Sequence, residues 1–428
     1  MTKNHFGPQT EQALENFPFP THKVHQELIY SIVRIKKAAA LANKSAGFLS
    51  PEMAEVIVRA CDEILGGKYD DQFVTPALQG GAGTSINMNV NEVIASLANV
   101  HPNDQVNKSQ STNDVNPSAL KITVIELTEK FLGKIDVLIK SLEKKAEETK
   151  SIKKLARTHF QDATPMTVGA EFLSYAAIVK RDKKRIEEAL KYFYELNLGG
   201  TAIGDSINAS EAYIENVYKE LNKITGLSLI KAENFMSQTS SSSDFCGLSS
   251  AINILYVDLS KMATDIRCLA SGPRGGIGEY ILPELQPGSS IMPGKVNPVI
   301  PESINQIHYY ISGKNLSIHE AAENANLELA VMFPVIADSL ISILKMATSG
   351  VEVFAIKCID LIKINEEKCR QHLESSTAYA TLLIPKLGYD AVSGLVKEVI
   401  NSGETLRGLC IKKGLLSEEE FEKLAQGK

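Results

Sequence analysis

The segment Pro117–Lys150, PSALKITVIELTEKFLGKIDVLIKSLEKKAEETK, carries Leu120, Val124, Leu127, Phe131, Ile135, Leu138 and Leu142 at intervals of three or four residues. That spacing stacks apolar side chains along one face of a helix. A helix of roughly 30 residues is far longer than the ~11–12 residue mean and reads as one rod of a bundle. The same period recurs outward from it. Upstream, residues 21–46 place Val24, Leu28, Ile32, Val33 and Ile35 on or near one stripe. Ser50-Pro51 then caps a helix that Gly66-Gly67 ends. Downstream, long helical patterns run from Thr167 to about Asn197, from Phe245 to Ser271, from Ile300 to Ile311, and from Glu320 to Cys358 with a break near Pro334. Short helices fill the tail, with a capping box at Ser417 and Glu420. No segment alternates as a strand. The expectation is an all-α chain in three domains: residues 1–108 N-terminal, 109–365 a central bundle of long helices, and 366–428 a small C-terminal domain.

Composition excludes several classes. Formal net charge is −6 over 428 residues, with 22% charged and 44% hydrophobic side chains, an ordinary soluble balance. No basic field recruits nucleic acid or an anionic membrane. The six cysteines are scattered without C-x-x-C spacing, which predicts free thiols in a reducing compartment. Met1–Thr10 has no signal-peptide core, and no apolar run reads as long enough to cross a bilayer. A cytoplasmic location follows. The lysine-rich stretches near Lys144, Lys153 and Lys183 read as solvated helix faces. Ser237–Ser243 reads as a capped helix start. No metal-ligand cluster and no phosphate loop is visible, and no organic cofactor is expected.

Four polar blocks interrupt the helices. Gln79–Glu92 (QGGAGTSINMNVNE) passes from a glycine-rich turn into a helix start bearing Asn87, Asn89 and Asn91. His101–Asp114 (HPNDQVNKSQSTND) and Ala156–Thr167 (ARTHFQDATPMT) follow. Pro287–Glu302 (PGSSIMPGKVNPVIPE) has the composition of a mobile loop. It sets Ser289 and Ser290 beside free backbone N–H groups, with Lys295 and Asn297 following. Donors and one cation, with no carboxylate before Glu302, suit a substrate carboxylate and negative charge developing on it.

G-S-S-I-M-P-x-K-x-N-P resembles the signature of the aspartase/fumarase superfamily. The resemblance extends from Phe6 to the C-terminus and includes F-G-P-Q-T-x-x-A-L-E-N-F-P near the start. It implies a homotetramer whose active sites are each shared between three subunits and take a C4 dicarboxylate. Ser289 is then the base, acting as an oxyanion; Lys295, Asn297 and Ser290 hold one substrate carboxylate. Thr84, Asn87, Ser111, Thr112 and Asn113 supply neutral donors for the rest of the substrate. Thr158 and His159 complete the site, with His159 paired to Glu302. His101, Asn103 and Asp104 resemble a second dicarboxylate site of fumarases.

Elimination next to a carboxylate removes a weakly acidic carbon-bound proton and passes through a dianionic aci-carboxylate. Stabilising that charge is the catalytic task. K-V-N after the serines favours the fumarase/aspartase branch. Within it, G-G-A-G-T-S and Ser111-Thr112-Asn113 resemble aspartases, where fumarases usually carry a serine at the Ala82 position and Ser-Ser-Asn. His101 and Gly294 are fumarase-like, and Asp205 departs from the small residue expected there. The resemblance thus points first to ammonia elimination from L-aspartate, then to fumarate hydration, and third to a non-catalytic helical scaffold derived from such a lyase.

Overall fold

A computed structural model describes residues 4–286, 288 and 290–425. The chain divides into two compact units. One comprises Met1–Gly133, Asp182–Tyr256 and Ile307–Ser349; the other comprises Lys134–Arg181, Val257–Gln306 and Gly350–Lys428. The unit boundaries fall inside long helices, so the helical rods, not linkers, carry the chain from one to the next.

The first unit opens with α1 (Pro8–Asn16), α2 (Gln26–Ser45), α3 (Pro51–Leu65) and α4 (Thr84–Ala98). Ser50 Oγ accepts from Met53 N at 3.2 Å, the cap expected before Pro51. Glu92 of α4 is buried and accepts from Gly7 N, Gln9 N, Thr10 N and Thr10 Oγ1, satisfying the first-turn donors of α1. Residues 22–25 are extended rather than helical. Val24 N donates to Thr75 O, and Ala77 N to His22 O.

The long rod α5 runs Thr112–Glu148 and starts before Pro117, not at it. A proline inside a helix leaves the carbonyl four residues back without its donor. Here that carbonyl is Asn113 O, and Asn197 Nδ2 supplies the missing bond at 3.1 Å. Leu120, Val124, Phe131, Ile135, Leu138 and Leu142 are fully buried, as their spacing predicts, while Leu127 of the same stripe is half-buried.

The second unit contains the one substantial departure from an all-helical reading. β1 (Lys153–Thr158) and β2 (Gln161–Thr167) pair antiparallel as a hairpin. Along the chain α6 (Val168–Leu190) follows; α7 (Glu211–Thr225) and α8 (Phe235–Ser240) belong to the first unit, and α9 (Ser243–Leu269), α10 (Val299–Glu323) and α11 (Phe333–Phe354) each cross a unit boundary, as α6 does. The tail forms α12 (Glu366–Ser375), α13 (Ala380–Leu387), α14 (Tyr389–Ser402), α15 (Leu406–Lys412) and α16 (Glu418–Ala425), packed on a core that includes Leu383, Leu395, Leu409 and Phe421. Ser417 and Glu420 form the expected capping box.

Two composition readings need correction. Residues Phe333–Ile359 are long and apolar enough to cross a membrane, although 56% of the window is buried within the protein, as a core helix requires. Lysines within the stretches read as solvated are also buried. Lys145 donates to Ile362 O at 3.0 Å, and Lys154 is held by Glu171 at 3.0 Å.

Candidate active site

In the first unit the glycine-rich turn delivers Thr84 to the start of α4. Ala82 takes φ 54° and Gly83 φ 80°, both left-handed, to make the bend. A Cβ on Gly83 would lie 2.7 Å from Asn116 Nδ2, so the turn needs glycine for space as well as conformation. Thr84 Oγ1 donates to Gly81 O and remains exposed.

One helical turn on, Asn87 is buried. Its Nδ2 lies 3.2 Å from Asn107 Oδ1 and 3.4 Å from Thr112 Oγ1, while its Oδ1 is buried without a hydrogen-bond partner. Asn107 Oδ1 is the hub, accepting also from Asn91 Nδ2 (3.2 Å) and from the ammonium of Lys36 (2.8 Å). Lys36 is wholly buried, and burial pulls its pKa down to about 7 against the attraction of Asp114.

Asp114 holds Ser111–Asn113 in place. Its Oδ1 accepts from Ser111 N, and its Oδ2 from Gly199 N and Thr201 N. Burial raises its pKa to about 6 despite those three bonds. Ser111 Oγ accepts from Asn113 N, and Asn113 Nδ2 donates to Ala202 O. Asn87 and Thr112 thus share one buried amide network with Asn107; Asp114 and Ala202 fix Ser111 and Asn113, and Thr84 stays exposed one turn before Asn87. Lys36, Asn107 and Asp114 form the network's foundation; Asp114 ends a polar block that the sequence marks, while Lys36 and Asn107 were assigned no part. The available signal was a lysine on the otherwise apolar stripe of Ile32, Ile35 and Ala39. Ala82, Thr112 and Asn113 line a cleft beside this network with Gln238 and Phe333.

In the second unit Thr158 pairs with Gln161, leaving His159-Phe160 as a two-residue hairpin turn. Both take positive φ, 55° and 59°, as a type I′ turn demands. Such a conformation in non-glycine residues costs about 1–2 kcal/mol each. The hairpin root supplies the compensation. Lys154 bonds both oxygens of Glu171, Tyr280 donates to Glu171, and Arg157 Nη2 lies 2.7 Å from Glu279 Oε1. His372 Nδ1 reaches the same oxygen at 2.8 Å. Glu279 is fully buried; burial pushes its pKa up, but the Arg157, His372 and Lys154 contacts outweigh it and leave it lowered. The hairpin thus presents an exposed His159 from a clamped base.

Ser289 and Pro287 lie outside the described residues. Of the rest of the loop, Asn297 Nδ2 donates to Gly288 O at 2.6 Å, closing the loop on itself. Lys295 N donates to Met292 O, and the Lys295 side chain is exposed along with Ser290. Glu302, in the first turn of α10, faces Arg267 at 3.8 Å. The expected His159–Glu302 pair is not made within the chain: among the described residues, Glu302 has Arg267 for its charge partner, and His159 sits at an exposed turn.

These blocks coincide with a family assignment. The family described as Lyase matches residues 2–313, and the fumarase C C-terminus matches residues 380–426. The chain belongs to the aspartase/fumarase superfamily of lyases. Relatives in this superfamily include an aspartate ammonia-lyase of Bacillus subtilis, 41% identical over 98% of this chain and 90% of its own. A class II fumarate hydratase of Halalkalibacterium halodurans is 39% identical over 98% and 93%. The solved fumarate lyase:delta crystallin of Brucella melitensis bound to cobalt superposes with a TM-score of 0.96 at 40% identity, covering 100% of this chain and 95% of that one. The multi-helical superfamily fold is therefore shown. The two activities stand at similar identity, so the family establishes a lyase and leaves the leaving group to the residues.

Proposed function

We propose that this lyase is an aspartate ammonia-lyase, converting L-aspartate to fumarate and ammonia in the cytoplasm as a homotetramer with active sites shared between three subunits. What supports this reading is that Ala82 and Thr112 line one small cavity with Asn113. Both are positions at which the motifs resemble aspartases rather than fumarases.

The residues divide the chemistry as follows. Ser289, as an oxyanion, takes the proton from the carbon next to one carboxylate. The electron pair moves into that carboxylate, giving the dianionic aci-carboxylate. Lys295, Asn297 and the backbone N–H groups near Ser290 stabilise the added charge. The pair then returns to form the double bond and expels the nitrogen as neutral ammonia. Thr84, Asn87, Ser111, Thr112 and Asn113 hold the second carboxylate and the amino group. Thr158 and His159 reach the site from the hairpin of another subunit, where His159 meets Glu302.

Ammonium leaves without a further proton, whereas hydroxide needs a general acid. A His159 that serves only as a binder is thus sufficient for aspartate. Fumarate hydration is the second reading, favoured by His101 and Gly294. The purified protein should form fumarate, followed by its ultraviolet absorbance, from L-aspartate and not from malate. Turnover of malate alone would establish the hydratase, and no turnover of either would leave the scaffold.

A further inference from the structure

The extended segment before α2 places two histidines against one carboxylate of α11, outside the residues assigned to the lyase reaction. His22 Nε2 lies 2.8 Å and His25 Nε2 3.3 Å from the same oxygen, Asp338 Oδ1. The three ligand atoms fall within 4.8 Å of one another. Backbone bonds from Val24 N to Thr75 O and from Ala77 N to His22 O hold the segment in position.

The hydrogen atoms make this arrangement informative. His22 Nδ1 is 2.7 Å from Lys23 O, and a carbonyl only accepts, so the ring hydrogen is on Nδ1. In the neutral ring, Nε2 is then a bare lone pair aimed at a carboxylate oxygen. Two acceptors at that distance need a positive species between them. A second proton on His22 or a divalent ion would each supply it, and His25 Nε2 faces the same oxygen. Asp338 is 7% exposed, and both rings lie close to its Oδ1. The carboxylate does not lack charge compensation, because Lys314 Nζ sits 2.7 Å from Oδ2.

We propose that His22, His25 and Asp338 bind one divalent transition-metal ion, of which Zn2+ is the type. Donor atoms about 2.0–2.2 Å from such an ion lie roughly 3.3 Å apart in a tetrahedron; His25 Nε2 and Asp338 Oδ1 already stand at 3.3 Å, and His22 Nε2 and Asp338 Oδ1, at 2.8 Å, would move apart to admit it. The outer contacts are those of metal ligands. The Nδ1–H of His22 is fixed by a backbone carbonyl, and Lys314 fixes the carboxylate rotation. Ser342 Oγ, 3.3 Å from His25 Nε2, is the remaining polar neighbour. The Lys314 charge opposes any cation, so affinity rests on the two imidazoles. This favours Zn2+, Co2+ or Ni2+ over Mg2+ or Ca2+. His22 is half-exposed and leaves a side open to water. The ion would tie the 22–25 segment to α11, a structural role.

The test uses the full-length protein, treated with chelator and titrated with Co2+, reading the ligand-field absorption, followed by displacement with Zn2+. One ion per chain is expected, with no thiolate charge-transfer band. Affinity should fall more than about tenfold in His22→Ala and in Asp338→Asn. Zn2+ should raise the thermal midpoint of the parent but not of His22→Ala. Because the half-exposed His22 contributes no core packing, that variant decides the matter alone if Asp338→Asn does not fold. Absence of a ligand-field spectrum in the parent, or equal affinity in His22→Ala, overturns the proposal and leaves an imidazolium–carboxylate pair only.

Discussion

Replacing Lys36 by methionine should stabilise the protein at neutral pH and impair it as an enzyme. Lys36 is fully buried, and burial lowers its pKa from the ordinary 10.5 to about 7. At about 1.4 kcal/mol per pH unit, that fall amounts to about 5 kcal/mol of folding free energy lost wherever the folded protein must keep the ammonium charged. The sign follows from proton counts. Between pH 7 and 10.5 the unfolded chain binds a proton that the folded chain has shed, so wild-type stability rises with pH across that window. Below pH 7 both states bind it, and the full penalty stands. Methionine matches the shape and carries no charge.

Against this gain, Asn107 Oδ1 loses one donor, worth about 1–2 kcal/mol, but keeps Asn87 and Asn91. The net gain at pH 7 should be about 3–4 kcal/mol, falling to zero near about pH 9–10 and turning into a deficit of about 1 kcal/mol by pH 10.5, read from urea midpoints measured across that range. kcat/KM should fall about tenfold or more, because the hub that sets Asn87 against Thr112 loosens. A variant less stable than the parent at pH 7, or a difference that does not change between pH 7 and 10, would refute the buried-charge reasoning.

Gly83→Ala should lower both the thermal midpoint and kcat/KM, since its Cβ would meet Asn116 and Phe333 at φ 80°. Gly133→Ala, in a helix with nothing within 4 Å of a new Cβ, should instead stabilise by about 0.5–1 kcal/mol with activity unchanged. Glu279→Gln should destabilise by about 3–5 kcal/mol by leaving Arg157 and Lys154 short of a buried countercharge, readable in chemical denaturation. Because the folded pKa of Glu279 lies below the ordinary 4.5, the parent holds this stabilisation above that pH and loses it on further acidification, so the gap between parent and variant should close in acid.

Helical periodicity was legible because long rods repeat one burial signal many times, as in α5. The hairpin was not, because its strands are half-exposed and its turn carries His159-Phe160 in place of the Asn-Gly that usually announces a type I′ bend. Asn87 stood out as one of three amides ill-suited to helix packing, and Thr84 and Ser111–Asn113 through the motifs they belong to. Their support did not. A single lysine on a helix reads as solvated, and nothing local says that Lys36 lies under Asn107 and near Asp114. The His22–His25–Asp338 cluster was illegible for the same reason: two of its members lie three residues apart in one segment, and the third comes from a distant helix.

The central claim is that an ionised loop serine starts the elimination while Lys295 and the amide-bearing turns stabilise the carbanion. Steady-state kinetics of Ser289→Ala with L-aspartate, alongside aspartate binding by calorimetry, tests it most directly. The account predicts kcat lower by at least about a thousandfold with affinity within a few-fold of the parent. A variant turning over aspartate as fast as the parent would contradict it.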